Sequence, residues 1–453
     1  MRERLPDTSA IHWLLLVLLL CGGGFLRYSY MHGTEVINPG GAGDAGYYLR
    51  YANNLVQHAV FSKQASTTTP APDAYWAPGY PALLAALISS AEGAGVDAYL
   101  TIRTVQITLG TTAILFTFAL GICFMPAPWA LLAALLVALS PHLVSTEQYL
   151  LSETLTLFLL LASLLLFVRG IQRRSTLLQC GAGIGFALTY LTNPVSLFIA
   201  PVAVAVTWLA GPRGPDGERM LTRRAALMIL GPLLVAGALW TLRGALSVPA
   251  DSPTAGSRLL TNLVQGMHAD FHSAWRANPR DPDNPATVDL ALVDGSYPRF
   301  AARLADKFAA DPTGMLHWYL LEKPLLLWDW DIRVGAGDIY TYPIFYSLYQ
   351  TSKPALATYV VMRSVHLWLV AFGVLSLVFL IRHRTAQHWV PLVLYACLAY
   401  VSAVYAITQA EPRYSFPLRP EMYLMAAFFL WRLAQVYLNY RERYRGAARP
   451  GAS

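Results

Sequence analysis

Eight charged residues of this 453-residue chain stand apart from the others by where they fall. Asp44, Glu147, Glu153 and Glu411, with Arg103, Arg243, Lys323 and Arg413, sit at the ends of apolar runs or in the polar segments between them. A carboxylate in such a place could take a proton from a hydroxyl, and a guanidinium could hold an anion through two parallel donors. Each also has a plainer reading. Asp44, flanked by small residues in "GDAGYYLRYANNLVQHAVFS", is what a turn or a helix N-cap requires. Glu153 follows Ser152 in "LLSETLTLF", where a carboxylate suits the positive end of a helix. Arg103, a few residues into "DAYLTIRTVQ", can reach lipid headgroups by snorkelling.

The elements that position these residues are apolar. The chain is 55% hydrophobic and only 13% charged, with a mean hydropathy of +0.43, against roughly 25% charged in a soluble domain. This is the composition of an integral membrane protein. Windows long enough to cross a bilayer fall near 11–30, 97–124, 128–145, 152–171, 176–192, 194–211, 222–247, 356–381, 387–409 and 417–438, about ten spans. The first, which follows "MRERLPDTSA", reads as an uncleaved span rather than a signal peptide. If the N-terminus is cytoplasmic, then Arg169, Arg173 and Arg174, Arg213, Arg219, Arg223 and Arg224, Arg382 and Arg384, and Arg441, Arg443 and Arg445 all fall inside, as positive-inside topology requires. Both termini are then cytoplasmic. The net charge of +7 is explained by these loops and calls for no nucleic acid.

"GYPALLAALISS", 79–90, is too short to cross and would reverse every later arginine cluster, so it is expected to be an interfacial helix. Two long extracytoplasmic loops remain, 31–96 and 248–354. The chain divides accordingly into an N-terminal transmembrane module (1–247), an extracytoplasmic region (248–354) and a C-terminal transmembrane module (355–453). Within the second loop, "RANPRDPDNPATVD" reads as a surface linker. "RFAARLADKFAADPTGMLHWYLLEKPLLLWDWD" reads as interfacial helix, with tryptophan and tyrosine gathered as they are at headgroup level. The eight charges now share the outer face. Arg413, in "EPRYSFPLRP", is positive where topology does not favour it, which marks it as an anion-binding candidate. The four cysteines lie in apolar runs, which argues against a disulfide framework or zinc site. The histidines show no metal spacing, and no phosphate loop or nucleophile elbow is present.

At these residues the chain resembles bacterial members of the dolichyl-phosphate-mannose protein mannosyltransferase superfamily, GT-C fold glycosyltransferases that include aminoarabinose transferases acting on lipid A. "GDAGYYLRYANNLVQHAVFS" is similar to the family's first-loop pattern and "WAPGYPALLAAL" to its Pro-x-Tyr-Pro segment. "IRTVQITLGTTAILF" and "SPHLVSTEQYLLSETLTLFLLL" resemble the next span and the segment with the second acidic residue. "ALTYLTNPVSLFIAP" resembles a Leu-Thr-Arg-Pro region, with Asn193 in place of Arg. "DPTGMLHWYLLEKPLLLWDWD" and "EPRYSFPLRPEMYLMAAF" complete the likeness. Many members carry a second acidic residue directly after the aspartate, where this chain has Ala45.

The resemblance implies an all-α polytopic GT-C membrane protein in the bacterial inner membrane, with its active site on the extracytoplasmic face. It implies an inverting transfer of sugar from a polyprenyl-phosphate-linked donor to a lipid, glycan or protein acceptor. Asp44 would be the base, with Glu153 as the second carboxylate; Arg103, Lys323 and Arg413 would bind the donor phosphate; Tyr48, Tyr80 and Tyr414 would shape the site. The resemblance names no certain cofactor and leaves room for a divalent cation, the case for which Ala45 weakens. A glycan ligase using diphosphate-linked donors is an alternative. A transporter of lipid-linked saccharide is another, although midplane charges and an inverted repeat are missing from the sequence.

Overall fold

The computed structural model describes residues 8–41, 43–65, 70–213, 217–278, 281–382 and 388–447. Arg384, one of the arginines used for topology, lies outside them. The chain is helical, in the order α1 (Ala10–His32), α2 (Gly43–His58), α3 (Gly79–Ala94), α4 (Ala98–Gly121), α5 (Ala127–Leu139), α6 (Pro141–Thr146), α7 (Glu153–Gln172), α8 (Thr176–Thr192), α9 (Ile199–Ala210) and α10 (Arg223–Ser247). The long loop between the two sets of apolar helices follows as α11 (Ala255–Gly266), α12 (Phe271–Ala277), α13 (Pro285–Val293), α14 (Tyr297–Ala310), α15 (Pro312–His317), α16 (Lys323–Leu327) and α17 (Leu348–Thr351). Last come α18 (Lys353–Arg382), α19 (Trp389–Ile407) and α20 (Arg419–Ala447). Among the described residues six helices are long and apolar enough to cross a membrane: α1, α4, α7, α10, α18 and α19. α5, α8 and the run Pro194–Ala210 are apolar but shorter. The chain is an all-α membrane protein, as the hydropathy implies.

The span expected at 128–145 is two helices instead of one. Pro141 has no N–H to donate and keeps the preceding residue out of the helical region, and Ser140 is extended at φ −63°, ψ 111°. The break frees carbonyls at the end of α5. Arg27, fully buried near the C-terminal end of α1, fills the gap: it donates to Ala138 O at 3.0 Å and Val137 O at 3.1 Å. Its Nε pairs with Glu147 at 2.9 Å. A charge inside a span is thus matched by a carboxylate and by orphan carbonyls, as burial of an ion demands.

The two long loops are not separate. β1 (Glu35–Val36) pairs antiparallel with β2 (Ile344–Tyr346), Glu35 opposite Tyr346 and Val36 opposite Ile344. A single bridge joins Ala74 to Thr254. Much of each loop is ordered as helix. "GDAGYYLRYANNLVQH" forms α2, and the stretch expected to be a linker turns helical at Pro285. There Asn284 accepts from Ala286 N at 3.0 Å, so the Asn-Pro pair that reads as a turn is an N-cap followed by N1 proline. Asp289 in α13 is buried and accepts from His268 (2.9 Å), Arg303 (2.7 Å) and Lys307 (3.2 Å), joining α13 to α14 and to the end of α11. The 79–90 segment is the helix α3, packed between α2 and α4. The segment 312–327 buries Trp318, Lys323 and Leu327 while exposing Leu316, Leu320, Leu321 and Leu325.

Candidate active site

The ends of α2, α7, α8, α11 and α19, with Trp240 of α10 and the turn that carries Arg413, meet at one cavity of about 220 Å³. α2 supplies Asp44 in its first turn. Gly43, at φ +55°, makes the turn into this helix in a conformation other residues rarely adopt. Tyr342 stands 3.1 Å from where its Cβ would be and accepts from Ala45 N at 3.1 Å. Ala45 is fully buried and faces the protein, so a carboxylate at that position would need another backbone setting to reach the cavity. α7 supplies Glu153 at its first position. Its entry is held by Gln106, which donates to Glu147 O (2.8 Å) and Tyr149 O (3.0 Å) and accepts from Tyr80 (2.8 Å).

Arg413 comes from the 3₁₀ turn Pro412–Leu418 between α19 and α20. It bridges both acids: Nη2 donates to Asp44 Oδ2 at 2.5 Å, and Nε lies 3.2 Å from Glu153 Oε1. Asp44 keeps 31% of its side chain exposed, Glu153 only 10%. Asp44 therefore meets the open cavity while Glu153 lies behind the guanidinium. Burial works against the charge on Arg413, but Asp44 and Glu153 outweigh it and hold the group well above its ordinary pKa. Burial pushes Tyr48 above the usual tyrosine range and Tyr342 and Tyr414 up to about 12. These phenols stay neutral near pH 7. They can donate or accept hydrogen bonds, but a phenolate base is not available.

Of the residues chosen from sequence, Asp44, Glu153, Arg413, Tyr48 and Tyr414 line this cavity. Tyr48 donates to Ser152 at 3.1 Å, and Tyr414 stacks on Tyr405 at 5.0 Å. Tyr80 lies one layer behind, fully buried, with its ring edge-on to Tyr48 at 4.9 Å. Arg103 is not among the lining residues: it donates to Met31 O at 3.2 Å and stacks over Tyr99. Lys323 is also outside the lining, fully buried against the end of α19. Burial pushes its ammonium down to about 7. Glu147 pairs with Arg27. Glu411 accepts from Arg333 N and Val334 N and lies 3.0 Å from His272, so its carboxylate holds the second long loop.

One lining cation was not identified from the sequence. Arg258, on α11, enters from the second long loop with its guanidinium carbon 3.5 Å from the centre of the Trp76 ring. Arg413 is taken up by two carboxylates, whereas Arg258 forms no ion pair among the described residues and stacks on an aromatic face. The argument that marks Arg413, positive charge on the outer side, applies equally to Arg258. Asn193, Asn262 and Gln409 add polar groups to the wall, and Leu191, Val195, Trp240 and Val404 make another part of it apolar. Among the described residues no group of three His, Cys, Asp or Glu could hold a metal ion. The two acids of the cavity already share Arg413.

No family model matches the chain, and no curated protein matches it. Among solved structures, the apo oligosaccharyltransferase of Archaeoglobus fulgidus superposes with a TM-score of 0.52 at 16% identity, covering 98% of this chain and 53% of that one. The archaeal oligosaccharyltransferase AglB of the same organism, in complex with an inhibitory peptide and a dolichol-phosphate, has a TM-score of 0.49 at 13% identity, covering 98% and 53%. ArnT from Cupriavidus metallidurans, bound to undecaprenyl phosphate, has a TM-score of 0.40 at 12% identity, covering 94% and 79%. The first of these shows the fold, which is the GT-C fold that the sequence resemblance implies. The chain spans about half the length of the oligosaccharyltransferase it matches.

Proposed function

We propose that the chain is a membrane glycosyltransferase that moves a sugar from a polyprenyl-phosphate-linked donor to an acceptor hydroxyl at the extracytoplasmic face, with inversion at the anomeric carbon. The observation that carries this reading is the meeting of Asp44, Glu153, Arg413 and Arg258 in one cavity with an apolar side. A carrier of this kind needs a cation for its phosphate, an apolar surface for its first isoprene units and one base. In the step, the acceptor oxygen bonds to the anomeric carbon on the face opposite the phosphate. The bond from that carbon to the phosphate oxygen breaks, and its electron pair leaves with the polyprenyl phosphate. The acceptor's proton passes to Asp44, the more exposed of the two carboxylates.

Arg413 bridges both acids and fixes their directions, and Glu153 anchors Arg413 from behind. Arg258 is the cation left to meet the departing phosphate, and its planar fork suits two phosphate oxygens. The step is complete with these groups. A divalent cation at Asp44 and Glu153 would have to displace Arg413 from them.

The test is chemical. Purified protein in detergent, with no membrane compartment, should consume an undecaprenyl-phosphate-linked sugar, release undecaprenyl phosphate and give product of inverted anomeric configuration. A protein that only moves lipid-linked sugar across a bilayer would leave the donor intact. Mass spectrometry of the glycans and lipids of a strain lacking the chain, set against its parent, would identify sugar and acceptor.

A further inference from the structure

Lys323 is expected from the sequence to bind donor phosphate, yet its ammonium faces backbone. Nζ donates to Ala406 O at 3.0 Å and Thr408 O at 2.6 Å, carbonyls that the end of α19 leaves without helical partners and that carry the negative end of its dipole. The Tyr319 ring covers the ammonium at 3.9 Å. Gly266, the last residue of α11, closes the other side. A Cβ there would stand 2.4 Å from Thr408 O and 3.0 Å from Lys323 Nζ, so only glycine lets the ends of α11 and α19 touch. Trp318 completes the joint by donating from Nε1 to Gly266 O at 2.9 Å.

The two elements joined here are those that furnish the cavity with its arginines. Arg258 lies eight residues before Gly266 on α11, about 12 Å along the helix. Thr408 and Gln409 line the cavity on the way from α19 to Arg413. We propose that Lys323 is a positioning residue: by tying the end of α19 to the segment whose Trp318 holds Gly266, it sets the spacing between Arg258 and Arg413, and it does not itself touch the ligand. This rests on the reading of the cavity as a polyprenyl-phosphate site.

Binding of undecaprenyl phosphate to the purified full chain in detergent tests it, using wild type, Lys323→Met, Arg258→Ala and the double variant. Lys323→Met keeps an unbranched side chain of similar size and removes the donor. It should weaken binding about tenfold in the wild type and less than about twofold when Arg258 is already alanine, the non-additivity of residues that act through one another. Losses that multiply in the double variant would overturn the proposal, because Lys323 would then act without Arg258; so would unchanged binding in Lys323→Met. Unchanged binding in Arg258→Ala would instead remove the phosphate reading on which the proposal rests. Should Lys323→Met not fold, Trp318→Phe loosens the same joint from its other side. Its loss should be about threefold and again vanish without Arg258; a loss that persists there counts against the joint.

Discussion

Asp44→Asn separates a base from a residue that merely orients its neighbour. The substitution keeps shape and hydrogen-bonding capacity, so α2 should form as before, but no oxygen remains that can take a proton. The pair with Arg413 is also weakened. Because Asp44 is 31% exposed, that pair contributes about 1 kcal/mol at most, a factor of about five in rate if all of it appears in the transition state. General-base assistance contributes about 10²- to 10⁴-fold, or roughly 3–5 kcal/mol. The two roles therefore differ by more than an order of magnitude. Transfer by purified Asp44→Asn at saturating donor should fall by at least about a hundredfold, with the melting temperature close to wild type. Glu153→Gln, which leaves Asp44 and Arg413 paired, should lose only about tenfold. An Asp44→Asn enzyme that keeps more than about a tenth of the rate, against that expected contribution, would refute the assignment and turn attention to Glu153.

Arg413→Ala should abolish transfer and also lower the melting temperature, since two close carboxylates would lose their shared cation; Arg413→Lys should recover part of the stability but little activity, because lysine cannot span both acids. Arg258→Ala, by contrast, should weaken undecaprenyl-phosphate binding with no loss of stability, and a melting point that falls as far as that of Arg413→Ala would contradict this division of labour. Asp289→Asn should loosen the packing of α11, α13 and α14 by about 2 kcal/mol, less than a fully buried pair because two of its partners are partly exposed, read as faster proteolysis between α13 and α14. Arg303 and Lys307 overcome burial to hold Asp289 below the usual carboxylate range. Its stabilisation is thus present above the unfolded pKa and lost as pH falls through the lower folded value, and equal cleavage rates at pH 7 and below that value would count against the assignment. Single cysteines near Asp283 and Asp216 should differ in labelling by an impermeant reagent on intact cells, the first reacting and the second not; the reverse pattern would overturn the topology.

The sequence by itself determined that this chain is a polytopic helical membrane protein, and roughly where its helices lie. Insertion depends on apolar transfer energy summed over some twenty consecutive residues, which is a local property. The break at Ser140–Pro141 and the helix starting at Pro285 were legible too, had proline been weighed as a helix boundary and not only as a turn signal. Asp44, Glu153 and Arg413 could be chosen as candidates because position along the chain assigns them to one face. That they meet could not be read. Arg413 and Asp44 are 369 residues apart, and a contact at that separation is set by how α2, α7 and the turn before α20 pack, not by any period in the chain. The same holds for Lys323 and Arg258. Both are basic residues of the second long loop, and only the tertiary structure decides that one ends on the carbonyls of α19 while the other enters the cavity and stacks on Trp76. Charge and side follow from local composition. The partner of a charge follows from packing, because a buried ion is tolerated only where the fold has assembled groups to receive it.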